Sequence, residues 1–321
     1  MVVVRYCSEY SSDIHMLWNS SGVRQGFVPA DEGYFRQLIM EHPYFSADHA
    51  FVMIEEEEVR GFICGCAGEE VPGGNERGYF TCLLLASEAE SKENGAVLLD
   101  ALEDSFRQIG RKSVACTFFN PMKLPWIMPD TGGHLHNNAP GIAVDLPLYE
   151  WMVQHGYRDM AQESAMHLEL KDFAMQDWVE DQASKAAGQG YTVEWYDKRV
   201  HKGLVSMVDS MGNAGWSAEI PDAAESINMI VALKGKDVVG FTGPVYPEES
   251  GRGYFAGIAV AREHEKQGLG TLLFYKLCQA EKEAGAGYMS LFTGSGNHAR
   301  KIYQNAGFTE KRIFSVMVKV L

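Results

Sequence analysis

Hydrophobic and polar positions fall along this chain in short blocks, and the blocks recur in one order twice. In the C-terminal part, residues 229–233, 238–246, 253–260, 288–293 and 311–320 are rich in β-branched and aromatic residues between Gly-rich turns, which predicts strands. The stretch 268–284 places Leu269, Leu272, Leu273, Leu277 and Ala280 along one face at helical spacing, so it predicts a helix packed on a sheet. Residues 298–306 form a second, shorter helical pattern, with Ala299, Ile302, Tyr303 and Ala306 on one stripe. A strand at Tyr191 to Tyr196 and one or two helices come before them. The N-terminal part opens the same way, with a strand at Val2 to Tyr6 and then helices, a hairpin, a helix, a strand, a helix and a last strand.

The two parts match residue by residue. Arg77-Gly78-Tyr79-Phe80 recurs at an offset of 175 as Arg252-Gly253-Tyr254-Phe255. At the same offset Gly95 falls on Gly270, Val97-Leu98 on Leu272-Leu273, and Gly110 on Gly285. Upstream, residues 51–62 match 230–241 at offset 179. Downstream, Trp151, Met152 and Gly156-Tyr157 match Ile302, Tyr303 and Gly307-Phe308 at offset 151, so the first copy carries an insertion of 24 residues, mostly 121–145. Three ordered blocks argue for a duplicated domain. The expected organisation is one domain over 1–170, a helical linker with a flexible exit over 171–190, and a second domain over 191–321. The length of 321 residues, about two domains' worth, agrees.

Composition narrows the classes of function. Hydrophobic residues make up 46% and charged residues 22%, enough to bury a core. No apolar run approaches the roughly 18 residues of a membrane span, and the N-terminus lacks the pattern of a secretory signal. The net charge of −15 disfavours nucleic acid or an anionic membrane as partner, and is compatible with a cationic small molecule. The six cysteines are scattered, with no Cys-x-x-Cys to build a zinc site. A cytoplasmic protein with reduced, mostly buried thiols is the expectation.

The candidate chemistry lies in the second copy. A strand ends near Val260, a polar turn follows, and a helix opens at Gly268-Leu269-Gly270-Thr271. A helix start leaves backbone N–H groups unpaired at the positive end of the dipole, and glycines let a ligand approach the backbone. The arrangement suits a pyrophosphate. It is neither a P-loop, lacking Gly-Lys-Ser/Thr, nor a dinucleotide fingerprint, lacking the third glycine and the acid.

Together with residues 295–308, Ser-Gly-Asn-His-Ala-Arg-Lys-Ile-Tyr-Gln-Asn-Ala-Gly-Phe, this segment resembles the GNAT superfamily of N-acetyltransferases. In that family Val-x-x-x-x-(Arg/Gln)-x-x-Gly-x-Gly/Ala precedes a helix, and Asn-x-x-Ala-x-x-x-Tyr-x-x-x-Gly-Phe follows the next strand. The resemblance covers about 191–321 well and about 1–170 weakly. It implies an α/β protein of two tandem GNAT-like domains, each a mixed, mostly antiparallel sheet flanked by helices. It implies acetyl-CoA as cosubstrate, no metal, and a primary amine as acceptor. The pantetheine arm would run beside Ile258, Ala259 and Val260. The pyrophosphate would sit on Lys266, Gln267, Gly268, Leu269, Gly270 and Thr271, and Asn297, which opens the second block, would count among the cofactor-binding residues. Tyr303 would protonate the departing thiolate. Two positions depart from the pattern. Glu265 stands where Arg or Gln is usual, and Gly296 holds the usual Asn place, one before Asn297. No base stands out, since the strand to Val260 carries no carboxylate and only Glu248 and Glu249 precede it.

In the first copy Gly268 becomes Glu93 and Tyr303 becomes Met152, so the first domain is expected not to bind acetyl-CoA in the usual way. The Pro-, Gly- and Asn-rich insertion reads as a long loop, in which Asp130, His134 and His136 are a poor metal set without a further ligand. The competing reading is a non-catalytic acyl-CoA-binding or interaction protein on the same fold. The acceptor and the oligomeric state are left open.

Overall fold

The computed structural model describes residues 1–117, 120–226 and 228–321. The chain divides into two compact units: Met1–Ala165 with Phe292–Ser295 and Glu310–Leu321, and Met166–Leu291 with Gly296–Thr309. Along the first part run β1 (Val2–Arg5), α1 (Ser11–Leu17), α2 (Val23–Gln25), α3 (Glu32–Leu38), β2 (Ala50–Glu55), β3 (Glu58–Cys66), β4 (Gly78–Leu85), α4 (Lys92–Gln108), β5 (Ser113–Cys116), β6 (Trp126–Ile127), β7 (Leu135–His136), β8 (Ile142–Ala143), α5 (Pro147–Gln154) and β9 (Arg158–Glu169). There follow α6 (Asp177–Gly188), β10 (Tyr191–Trp195), α7 (Leu204–Ser210), α8 (Ala214–Ser226), β11 (Ile230–Lys234), β12 (Asp237–Gly243), β13 (Tyr246–Pro247), β14 (Arg252–Tyr254), β15 (Gly257–Val260), α9 (Leu269–Glu283), β16 (Tyr288–Gly294), α10 (Arg300–Asn305) and β17 (Thr309–Val320).

The sequence repeat is a structural repeat with the same registers. The hairpins β2–β3 and β11–β12 carry a bulge at matching places, between Met53 and Ile54 and between Ala232 and Leu233. Parallel pairing of β4 with β5 aligns Gly78 with Val114, and that of β14 with β16 aligns Gly253 with Met289, an offset of 175 on both strands. Each of these glycines is needed because a helix presses on the strand there. A Cβ at Gly78 would lie 2.3 Å from the Phe106 ring, and one at Gly253 would lie 2.9 Å from the Glu281 carboxylate. The apolar faces of α4 (Leu98, Leu99, Leu102, Phe106) and α9 (Leu269, Leu272, Leu273, Leu277) supply the cores these contacts belong to.

Four features differ from the expectation or extend it. The single strand expected over 253–260 is two strands, β14 paired with β16 and β15 paired with β12, interrupted at Phe255-Ala256. The interruption has a cause in α8: the Trp216 ring occupies the volume a side chain at residue 257 would need, 2.4 Å from a Cβ there, and its Nε1 donates to Ala256 O at 2.9 Å. The segment 171–190 does contain a helix, and that helix packs within the second unit, burying Val179 and Ala186 against the α9 core. The insertion 121–145 gathers around Trp126, Met128 and Ala143, which join Phe314 in a small core. His136 is buried there, its ring 4.2 Å from that of Phe292 and its Nδ1 accepting from the Asn138 amide.

The fourth feature concerns the C-terminal strand. Residues 310–321 belong to the first unit, where the strand order is β1-β2-β3-β4-β5-β17-β9 and Met317 to Val320 pair antiparallel with Cys116 to Ser113. Lys319 Nζ lies 2.7 Å from the fully buried carboxylate of Glu103, which also accepts from Arg107. Removing one partner of a buried pair leaves a charge in low dielectric. Lys319→Met is therefore expected to cost about 3 kcal/mol, read from the urea midpoint.

Glu281 gives a second test. Phe106 holds its place in the first unit, whereas here a fully buried carboxyl has, among the described residues, neither oxygen in a well-formed hydrogen bond. Burial pushes it up to about 8, a nearby Tyr246 backbone group and the Arg252 guanidinium pull it down, and Glu248 adds to the rise. The Cys278 thiol also lies beside it. Folding thus favours the neutral acid, and its contribution is lost as pH climbs from the ordinary carboxylate value of about 4.3 toward 8. The melting temperature is expected to fall across that window, and Glu281→Gln to flatten the slope.

Candidate active site

β15 is the last strand of the order β10-β11-β12-β15, so among the described residues only one of its edges is paired with a strand. Along the paired edge Ile258, Ala259 and Val260 face Thr242, Phe241 and Gly240. The other edge offers amides and carbonyls to an extended, peptide-like ligand. Beyond Val260 the chain turns through Arg262–His264, where the His264 ring meets the Tyr191 hydroxyl at 3.0 Å, and Glu265 and Lys266 lie exposed. Lys266 and Gly268 take left-handed φ values of 61° and 77°, which bend the chain into the start of α9.

That helix start has no side-chain cap. The amide of Leu272 bonds back to Gly268 O at 3.1 Å, so those of Leu269, Gly270 and Thr271 precede the first in-helix acceptor. Above Gly270 there is room, since a Cβ would meet only Ile302 at 3.9 Å. At Gly268 there is none, since a Cβ would fall 2.2 Å from Gln182 Nε2. The donors, the dipole and the two glycines fit an anion such as a diphosphate.

α10 brings Tyr303 onto α9, its ring centroid 4.6 Å from that of Phe274 and 6.3 Å from that of Phe308. The residue is 7% exposed, and burial pushes its phenol up to about 12. Such a group holds its proton at neutral pH. Asn297 sits exposed before α10, its Oδ1 accepting from the Ala299 amide at 2.9 Å, so that oxygen closes a local turn.

The same places in the first unit are closed. Ser91 Oγ accepts from the Asn94 amide and caps α4, with Glu93 in the first turn. Trp151 lies 2.9 Å from a Cβ on Gly95, where Ile302 leaves 3.9 Å over Gly270. Met152, at the place of Tyr303, is fully buried. Beyond Tyr79 the space between β4 and β5 is lined by Thr81, Asn120 and, from the insertion, Leu124, Trp126 and Ile142.

Sequence reasoning did not find the α8 residues at the strand break. Glu219, one turn after Trp216, accepts a 2.7 Å hydrogen bond from the Tyr254 hydroxyl. Their signal was the aromatic-acid pair on an amphipathic helix, which says nothing of its target until β14 is placed. Glu248, one of the two acids considered from sequence, is held by the Arg252 guanidinium through both oxygens, at 2.7 and 3.2 Å.

Residues 174–308 match the model of the acetyltransferase (GNAT) family, and the part of the chain before them has a GNAT-like fold as well. Three solved structures resemble nearly the whole chain. A GCN5-related glucosamine N-acetyltransferase region in a fungal multi-domain GH3 β-N-acetylglucosaminidase aligns with 99% of this chain at a TM-score of 0.68 and 14% identity, and this chain spans 38% of that one. A GCN5-related N-acetyltransferase from Sphaerobacter thermophilus aligns at 0.62 and 13%, over 99% of this chain and 95% of that one. A tandem GNAT protein from the clavulanic acid biosynthesis pathway aligns at 0.58 and 13%, over 99% and 98%. At these identities the likeness is one of fold. No curated relative matches the chain. Among the described residues no helix is long and apolar enough to cross a membrane.

If the Gly268–Thr271 amides form the anion cradle, Gly268→Ala, whose Cβ meets Gln182 at a left-handed φ, is expected to weaken acetyl-CoA binding at least tenfold in calorimetry.

Proposed function

We propose that this protein is an acyltransferase, an N-acetyltransferase whose second unit moves the acetyl group of acetyl-CoA to a primary amine by direct attack. The observation that carries the reading is the uncapped, glycine-opened start of α9 at the end of a half-paired strand, with a protonated phenol from α10 packed on the same helix. The pantetheine arm pairs with the open edge at Ile258, Ala259 and Val260. The diphosphate rests on the amides from Lys266 through Gln267, Gly268, Leu269 and Gly270 to Thr271. Asn297 shapes the turn into α10 and so helps to set where Tyr303 stands.

In the reaction the amine nitrogen bonds to the thioester carbon, the carbon–sulfur bond breaks, and a thiolate leaves. Tyr303 donates a hydrogen bond to the sulfur as its charge develops and supplies the proton. The proton lost by the amine needs an acceptor, and we assign that part to Glu219, an exposed carboxylate that accepts from the Tyr254 hydroxyl beside the strand break. The net charge of −15 favours a small cationic amine over an anionic one. The unpaired, mostly buried cysteines suit a reducing cytoplasm. The capped helix, Trp151 and Met152 leave the first unit without this site, so one acetyl-CoA per chain is expected.

The test is CoA release with an amine panel. Tyr303→Phe is expected to lower kcat about 100-fold while leaving acetyl-CoA affinity within a few-fold of wild type. A wild type that binds acetyl-CoA yet never exceeds that variant with any amine would make this a binding protein.

A further inference from the structure

The segment between the two repeats reaches the cradle. Three contacts show α6 and its approach running antiparallel to α9: Lys282 Nζ donates to Phe173 O at 2.8 Å, the Trp178 and Tyr275 rings meet at 5.3 Å, and Gln182 Nε2 donates to Gln267 O at 3.0 Å. Val179 and Ala186, both buried, fix the helix in register. Gln182 therefore arrives at the loop from a rigid support.

We propose that Gln182 is a positioning residue for the diphosphate cradle, an inference that rests on the acetyl-CoA reading above. Two observations meet at it. The loop holds Lys266, a residue with a side chain, in the left-handed region beside Gln267, a conformation that persists only where the surroundings impose it. The bond from Gln182 to Gln267 O braces the loop at the next residue. That bond also engages a carbonyl whose negative end would otherwise compete with a phosphate at the mouth of the site. The Gln182 amide then fills the space a Cβ on Gly268 would take, so glycine at 268 and glutamine at 182 are one device. Gln182 is 85 residues from its partner in the chain and acts through the loop rather than on the reacting atoms.

The experiment is calorimetry on the full chain with two ligands, acetyl-CoA and acetyl-pantetheine, the second of which lacks the diphosphate. Gln182→Ala and Gln182→Met are both expected to weaken acetyl-CoA about fivefold to tenfold, since both lose the donor while Met keeps the bulk. Affinity for acetyl-pantetheine is expected to stay as in wild type, and the loss to fall on the KM for acetyl-CoA more than on kcat. Unchanged acetyl-CoA affinity, or equal losses for both ligands, overturns the proposal. Tighter binding by Gln182→Ala also overturns it, because Gln182 would then be occupying the cradle. A wild type that takes up no acetyl-CoA overturns the cofactor reading and this proposal with it.

Discussion

Backbone amides that have no acceptor of their own, at the start of α9, are the constraint around which the second unit is arranged. A helix can leave such groups bare only where water or a ligand reaches them, and any side chain there would close the place. Gly268 keeps it open, its left-handed φ aims the chain into the helix, and the half-paired β15 delivers the turn. The ring of Tyr303 depends on the same helix, since it packs there on Phe274.

Comparison within the chain shows how little separates a site from its remnant. Both units keep the hairpin bulge, the parallel register and the glycine under the long helix. What changes is a serine that caps, a tryptophan that covers and a methionine in place of a tyrosine. None of these alters the architecture, because each sits at the rim of a scaffold whose core contacts are apolar. Glu281 is the converse case, a carboxyl put where the sister unit buries a phenyl ring, with the fold bearing the cost of keeping it neutral.

Much of this was legible in the sequence. The expected 268–284 became α9 over 269–283, and 288–293 became β16 over 288–294, because period and turn residues are local signals. The repeat and the uncapped glycine start were equally visible. The interruption at Phe255-Ala256 was not, since it depends on Trp216, a residue forty positions away. The reach of Gln182 was hidden for the same reason, a polar residue on a charged helix giving no sign of what it meets. Nor could alternation in 311–320 say which strand it would join, as a strand pattern specifies a face and not an edge.

That last point bears on how the molecule comes into being. Residues 310–321 complete the unit to which the first 165 residues belong. On a ribosome adding about 5–20 residues per second, the edge of β5 would wait roughly ten to forty seconds for its neighbour to emerge. An unfilled edge recruits foreign strands. A nascent chain of this design needs shielding through that interval, and a chain severed between its repeats would yield an incomplete half rather than two sound ones.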